Sequence, residues 1–488
     1  MLFATTGYAL GRILLVFTAF FAVPLLFAVG YGEREAALAF FVGAILTAFA
    51  GGALLFTYHG IASAPSKKEV IALPFIGLLA ASFFAGIPVT LSGAVSSVPD
   101  GAFEALSGLT TTGASILPDV ESAARSILVW RATLQWVGGL ATLAFALAIA
   151  PALNIGGASL LTVALPHGEA GSLTDRLRGV VALLLPVYAI LTLTIMIVYF
   201  ISGLPLFDAF CHALSTISSG GFSTRNESLG SFGVPMVETL SIPFMLLAAT
   251  NFTYHWAFLR GRRRIHLKDP ELRLFAVLLL LGALVIFTGD MAQSRGTSEG
   301  HEPLKSLRIA LFSAASALST TGFVGTAEQD LTLLGTLTLC ALLFVGGGMG
   351  STAAGMKTLR LLMLLRHALL ELARLAHPSN ANRLKYQHKM VTDNDIQGLW
   401  LFYVLFIAAL AFGGVGFAAT GRNLDSAFYL TLTAISNAGP MIQVLDHGFE
   451  GFSTMNGNEK MLYAVGMIMG RLEIVTILAL FSPGLWRR

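Results

Sequence analysis

Four apolar stretches of about 12 residues recur along the chain, and each ends in a hydroxyl-rich turn and a glycine. They lie near residues 100–112, 208–220, 309–321 and 426–438. The first reads DGAFEALSGLTTTGAS from Asp100 to Ser115, and the second DAFCHALSTISSGGFS from Asp208 to Ser223. Aligned without gaps, Leu106 meets Leu214, Ser107 meets Ser215 and Ser115 meets Ser223. The third aligns on Ser316 and Gly322, the fourth on Thr433 and Gly439. The shared glycines fall at 113, 221, 322 and 439, with spacings of 108, 101 and 117 residues. Small residues also serve helix packing in membranes. Four matches in register, each between two long apolar segments, point instead to a structural repeat.

A helix must run through roughly 20 apolar residues to cross a bilayer, so these stretches are too short to span and read as re-entrant segments. Longer segments near 8–30, 36–58, 70–93, 127–150, 177–201, 233–259, 273–290, 332–366, 396–419 and 460–481 predict ten spans. Hydrophobic residues make up 55% of the chain and charged ones 12%, about half the usual charged share of a soluble domain, so lipid must be part of its solvent. The N-terminus lacks the features of a cleaved leader, and the first apolar segment reads as a retained helix. Each repeat has two crossings, so all four copies share one orientation and can surround one axis. The predicted fold is an all-α integral membrane protein: a two-span extension (1–62) followed by four parallel span, P-loop, span units (63–168, 169–266, 267–390 and 391–488) around a pseudo-fourfold pore.

Basic residues mark cytoplasmic links. Lys67 and Lys68, the cluster Arg260, Arg262, Arg263, Arg264 and Lys268, and the run Lys357, Arg360, Arg366, Arg374, Arg383, Lys385 and Lys389 belong there. Links holding the short stretches carry Asp100, Asp119, Glu121, Asp208 and Glu227 and belong outside. Flanking spans, these basic runs set topology rather than bind nucleic acid.

The turns are Thr110-Thr111-Thr112-Gly113, Ser218-Ser219-Gly220-Gly221, Ser319-Thr320-Thr321-Gly322 and Ser436-Asn437-Ala438-Gly439. A short helix entering from outside aims the negative end of its dipole at the membrane centre, where it favours a cation. Glycine then permits the backbone angles of a tight reversal. Four such strands offer rings of carbonyl oxygens that replace the water shell of an ion. The turns contain no charged side chain, which fits a weakly hydrated monovalent cation better than an anion or a divalent ion.

Two features predict control. The segment Gly346-Gly347-Gly348-Met349-Gly350-Ser351-Thr352-Ala353-Ala354-Gly355-Met356-Lys357 cannot hold a straight helix, since each glycine costs up to about 1 kcal/mol relative to alanine. It reads as an intramembrane loop beneath the pore, or alternatively as a packing kink. Arg471, mid-span, must face a polar cavity or a partner; it reads as a positive barrier below the turns, or as half of an ion pair. Glu473, two residues on, points to another helix face. Glu104 and Arg131 form a candidate brace.

Cys211 and Cys340 are far apart in apolar surroundings and read as buried thiols. Asn251 and His255, one turn apart, read as packing, not metal ligands. No zinc-protease motif, paired intramembrane aspartates or serine–histidine arrangement marks an enzyme, and no organic cofactor is expected.

These residues resemble the TrkH/TrkG/KtrB potassium transporter family across nearly the whole chain. The markers are TTTGAS at 110–115, LQWVGGL at 134–140, SSGGFST at 218–224, STTGF at 319–323, GGGMGSTAAGMK at 346–357, SNAGP at 436–440 and GRLEI at 470–474. The extra N-terminal pair of spans is similar to the TrkH branch. The resemblance implies a homodimer in a bacterial inner membrane, each protomer with its own K+ pore. It implies ions held at Thr111, Thr112, Ser219, Gly220, Thr320, Thr321, Asn437 and Ala438. The glycine-rich run would then be the gating loop and Arg471 the arginine below the filter. A cytosolic, nucleotide-binding TrkA-like ring would dock on the basic links. Family members often carry a bulkier aliphatic residue where this chain has Ser219. Channel-like conduction is the first reading; a symporter coupled to H+ or Na+, built on discontinuous helices, is the alternative.

Overall fold

The computed structural model describes residues 4–61, 66–148, 173–261, 269–294, 302–326, 331–377, 383–386 and 389–481. Arg262, Arg263, Arg264 and Lys268 of the basic links, and the end of the predicted span 127–150, lie outside the described residues.

Among the described residues the fold is all-α, apart from a two-stranded antiparallel hairpin, β1 (Lys385–Tyr386) with β2 (Lys389–Met390). An N-terminal pair comes first: α1 (Ala4–Thr18) running through one 3-10 turn into α2 (Ala22–Tyr31), then α3 (Arg34–Tyr58). These pack closely because both lack side chains at the crossing: a Cβ on Gly11 would sit 2.8 Å from the Gly51 carbonyl oxygen, the small-residue packing membranes favour. Trp130, buried between Phe17, Phe21 and Phe40, donates its Nε1–H to the Ala85 carbonyl and fixes this pair to the first repeat.

Four units follow. Unit one is α4 (Lys67–Leu91), α5 (Val98–Leu109) and α6 (Arg125–Ala148); unit two is α7 (Leu173–Ile201), α8 (Leu206–Ile217), α9 (Pro235–Ala248) and α10 (Phe252–Leu259). Unit three is α11 (Pro270–Ser294), α12 (Pro303–Leu318), α13 (Leu333–Val345) and α14 (Thr358–Ala376). Unit four is α15 (Asp393–Ala419), α16 (Leu424–Ile435), α17 (Gly457–Arg471) and α18 (Ile474–Phe481). In each, the first span packs along its own short helix. Capping boxes start several elements: Ser66 with Glu69 at α4, Thr392 with Asp395 at α15, Asn456 with Glu459 at α17. Each satisfies backbone N–H groups that a helix leaves unpaired. Wide apolar faces, with Leu26, Phe49, Phe56 and Leu280 among the exposed residues, match a chain solvated by lipid.

Among the described residues, six helices are long and apolar enough to cross as uninterrupted spans, and the pair α9–α10 makes a seventh if counted as one. The other expected crossings differ for visible reasons. The second span of unit one, α6, carries Arg125 and Arg131. The second spans of the remaining units are all broken. The sequence reading expected a break only in unit three, and that expectation is corrected. Unit two bends by 97° between α9 and α10, and unit four breaks at Leu472–Glu473, where Glu473 adopts a left-handed φ of 63°.

Candidate functional site

The four short helices end alike. In α5 the N–H of Thr111 donates to Gly108 O and that of Thr112 to Ser107 O. The same pair recurs as Ser219 to Thr216 and Gly220 to Ser215, as Thr320 to Ala317 and Thr321 to Ser316, and as Asn437 to Ala434 and Ala438 to Thr433. This is a Schellman cap, whose left-handed residue is normally glycine. Here it is Thr111, Ser219, Thr320 and Asn437, with φ of 52°, 53°, 53° and 48°. A left-handed non-glycine residue costs roughly 1–2 kcal/mol. Four repetitions at aligned positions mark a geometry maintained for use.

The caps form a closed ring. A Cβ on Gly113 would lie 2.3 Å from Gly220 O, one on Gly221 2.2 Å from Thr321 O, and one on Gly322 3.4 Å from the Ala438 carbonyl carbon. Gly439 completes the circuit by donating its N–H to Thr112 O at 2.6 Å. Each glycine therefore abuts the residue before the glycine of the next unit, in the order one, two, three, four, one. Gly113, Gly221 and Gly322 have φ near +77° (76°, 79° and 76°). Gly439 instead enters a 3-10 turn with Pro440 and Met441, so turn four leaves the axis differently.

Below the glycines, two levels carry carbonyls with no donor among the described residues: Thr110, Ser218, Ser319 and Ser436, and then Thr111, Ser219, Thr320 and Asn437. The next level differs, since Thr112 O accepts from Gly439 and Ala438 O from Met441. Beyond the glycines opens a cavity of about 200 Å³, lined by residues including Gly113, Arg131, Gly221, Asn226 and Glu450.

Behind the turns, Glu104 and Arg131 meet at 2.7 Å, both buried. Glu104 also accepts from the Ile116 N–H and the Ser115 hydroxyl, while Arg131 donates to Ser223 O and lies over the Phe222 ring. The pair thus ties turn one to turn two. His212 occupies the repeat position of Glu104 and bonds Ser223 Oγ at 2.9 Å, as Glu104 bonds Ser115. The gapless alignment carried that signal without its being read. In the link between α5 and α6, Asp119 accepts from the Asn226 side chain, a hydrogen bond that holds its carboxyl below the usual range.

The glycine-rich run is a loop between α13 and α14, packed under the turns. Its backbone pairs with the break in unit two: Gly348 N–H to Ala249 O, Thr352 N–H to Ala248 O, and Phe252 N–H to Gly350 O. These bonds take up the polar groups exposed by the 97° bend, and so explain it. Glu271 accepts from the Met349 N–H at 2.7 Å. Gly346, Gly350 and Gly355 have positive φ, as does Lys357 (78°), whose ammonium bonds Ala353 O. A Cβ on Gly347 would lie 2.4 Å from the Ala353 Cβ. The Ser351 hydroxyl turns back onto Gly348 O.

Thr352 is the hub. Its hydroxyl donates to Ala248 O at 2.9 Å and lies 2.9 Å from Ser219 Oγ. Its carbonyl accepts from Arg471 Nη1 at 2.7 Å. The Ala354 N–H donates to Thr320 Oγ1 at 2.8 Å. The loop thus grips the left-handed residues of turns two and three, while Asn437 Nδ2 binds Thr112 Oγ1 and Met467 O, joining turn four to turn one. Beneath the loop remains about 30 Å³, bordered by Met349, Ala354, Lys357, Phe402 and Arg471, room for a water or two.

Arg471 is buried (4% exposed) and also reaches Gly138 O at 3.4 Å. Its partners are carbonyls. Glu473 pairs instead with Arg360 at 2.7 Å, so an Arg471–Glu473 ion pair does not form. His255 bonds Leu247 O and Thr250 beside the unit-two bend.

The profile of the TrkH family, described as Cation transport protein, matches residues 38–487. The chain belongs to the TrkH family. The Trk system potassium uptake protein TrkH of Halomonas elongata is 33% identical over 98% of both chains. The Trk system potassium uptake protein TrkG of Escherichia coli K12 is 33% identical over 95% of this chain and 94% of its own. The crystal structure of the potassium transporter TrkH from Vibrio parahaemolyticus superposes with a TM-score of 0.90, at 29% identity and covering both chains entirely. This TrkH-family chain is therefore a multi-pass membrane transport protein whose four-unit architecture is that of a solved relative.

Proposed function

We propose that this protein is a potassium uptake protein that conducts K+, and Rb+ as its analogue, through a channel-like filter made by the four turns. The observation that carries the reading is the closed ring of four left-handed caps. Its support is that eight backbone carbonyls at two aligned positions, those of Thr110, Ser218, Ser319, Ser436 and of Thr111, Ser219, Thr320, Asn437, take no donor among the described residues. Neutral oxygens in that number replace the hydration shell of a large monovalent cation. The names of the relatives, potassium uptake proteins, supply the ion.

The loop is the gate in this reading. It lies across the exit from the caps, hydrogen-bonded to Ser219 and Thr320, with Arg471 holding it and opposing a cation from below. The relatives' title of Trk system supports a multi-component assembly. Here that is a homodimer in a bacterial inner membrane, with basic links inside and caps outside, and a cytosolic nucleotide-binding ring of the TrkA type acting on the loop. The repeat boundaries at 63, 169, 267 and 391 are part of the same proposal.

Purified protein in liposomes tests it. Rb+ should enter down its gradient, be displaced by K+ and resist Na+, without need of a proton gradient. Uptake that follows an imposed H+ or Na+ gradient would replace conduction by symport.

A further inference from the structure

The second strand is tied down differently from the first. Turn two has Gly220 where the others have Thr112, Thr321 and Ala438. Gln135 of α6 stands where a side chain would be: a Cβ at position 220 would lie 2.3 Å from its carboxamide carbon. Gln135 Nε2 donates to Gly220 O at 2.6 Å, and its Oε1 accepts from the Phe222 N–H at 3.3 Å. One residue on, Arg131 donates to Ser223 O. Helix α8 then takes hold of the side chains: Thr224 donates its hydroxyl to the Asp208 carboxylate, and His212 meets Ser223 Oγ at 2.9 Å.

Geometry orders the bonds around His212. Its Nδ1 lies 2.8 Å from Asp208 O. A carbonyl only accepts, so Nδ1 carries a proton. In the neutral ring Nε2 is then a bare acceptor, and the Ser223 hydroxyl donates to it. Ser223 Oγ in turn accepts from the Arg225 N–H at 3.0 Å. The bonds from Arg225 through Ser223 to His212 thus run one way. The ring is wholly buried, with Phe232 edge-on at 5.4 Å and Phe323 at 6.0 Å. The faces that these two rings cover are apolar. The charged groups acting on the imidazole are Asp208 from its own helix and Arg225 from the link after strand two. Arg131 of α6 stands behind Ser223 O.

Building on the filter reading above, we propose that neutral His212 is a positioning residue for the second filter strand, holding it through Ser223, and that protons from the cavity beyond the glycines loosen that strand. A second proton on the ring reverses the order of the bonds. Nε2 becomes a donor, Ser223 Oγ faces two N–H groups, and its own proton must find another acceptor. The same proton adds a third positive charge to the group around Ser223, alongside Arg131 and Arg225. Ser223 and Arg225 line the 200 Å³ cavity, where the bonded series ends. At the repeat position of His212, unit one has Glu104, paired with Arg131, and units three and four have Ser313 and Leu430. Of the four side chains, histidine is the one whose charge changes near neutral pH.

Rb+ flux into liposomes, competed by K+ and by Na+, tests this. His212→Leu should lower the preference for K+ over Na+ about fivefold, the scale of one hydrogen bond. Ser223→Ala should do the same, and the double substitution should cost no more than either, because both remove one shared bond. His212→Gln, whose amide accepts from a hydroxyl, should keep the wild-type preference. Acidifying both faces from about pH 8 to about pH 5 should lower the preference of the wild type and leave His212→Gln unmoved. A folded His212→Leu with unchanged preference, additive losses, or equal acid responses of wild type and His212→Gln overturn the proposal. Should His212→Leu fail to fold, Ser223→Ala and the acid response of His212→Gln decide. A wild-type protein with no preference for K+ over Na+ at either pH would overturn the filter reading itself.

Discussion

Ser219 and Thr352 meet hydroxyl to hydroxyl at 2.9 Å, the first in a left-handed cap and the second in the glycine-rich loop. The Thr352 hydroxyl also lies within hydrogen-bond reach of Ala248 O at 2.9 Å and Ile217 O at 3.2 Å. The loop and the cap share one hydrogen-bond chain. Thr352→Val removes the hydroxyl and takes from Ser219 Oγ its partner, while Ala248 O keeps the backbone N–H of position 352. A bond of about 1 kcal/mol corresponds to roughly fivefold in an equilibrium. Flux through Thr352→Val liposomes should rise by about that factor; an unchanged rate would show that the loop is not held there.

Arg471 joins three units, binding loop carbonyl Thr352 O and α6 carbonyl Gly138 O from the end of α17. Arg471→Ala removes both donors and the charge, and should raise K+ flux. Arg471→Gln keeps a donor without the charge. If it conducts like Arg471→Ala, electrostatic opposition dominates; if it stays near wild type, the hydrogen bonds do. A silent but folded Arg471→Ala would count against both roles.

Gly113 combines a φ of 76° with a site where a Cβ would lie 2.3 Å from Gly220 O. Gly113→Ser must therefore distort two strands at once. Discrimination of K+ against Na+ should collapse in competition flux, even where total cation flux persists. Retained discrimination would remove Gly113 from the filter.

The Glu104–Arg131 pair is almost wholly enclosed, with side chains 1% and 3% exposed. Leaving one buried charge uncompensated destabilises by about 3–5 kcal/mol. Arg131→Ala should lower the thermal midpoint in detergent by several degrees and weaken the link from turn one to turn two. An unshifted midpoint would mean that the pair contributes nothing net.

Much of this architecture was legible because the repeat is written in register: aligning Gly113, Gly221, Gly322 and Gly439 places four turns before any coordinates. The glycine-rich loop showed itself through propensity. The bend at Ala249–Asn251 did not, since neither glycine nor proline stands there, and its polar groups are satisfied by a loop about 100 residues downstream. Gln135 was equally hidden. Its partner Gly220 differed visibly from Thr112 and Thr321, but the cause of that difference is a contact between units, which spacing along a chain does not encode. The partner of Glu473 was missed for the same reason: Arg360 is 113 residues away in sequence.

The contact that closes the ring has a temporal side. Asn437 reaches Thr112 across 325 residues of chain. A ribosome delivers the first turn long before the fourth exists, at about 5–20 residues per second. For many seconds the first turn has no partner from unit four. The ring of four turns thus cannot close until unit four has been made, and a chain halted before it lacks the partner of Thr112.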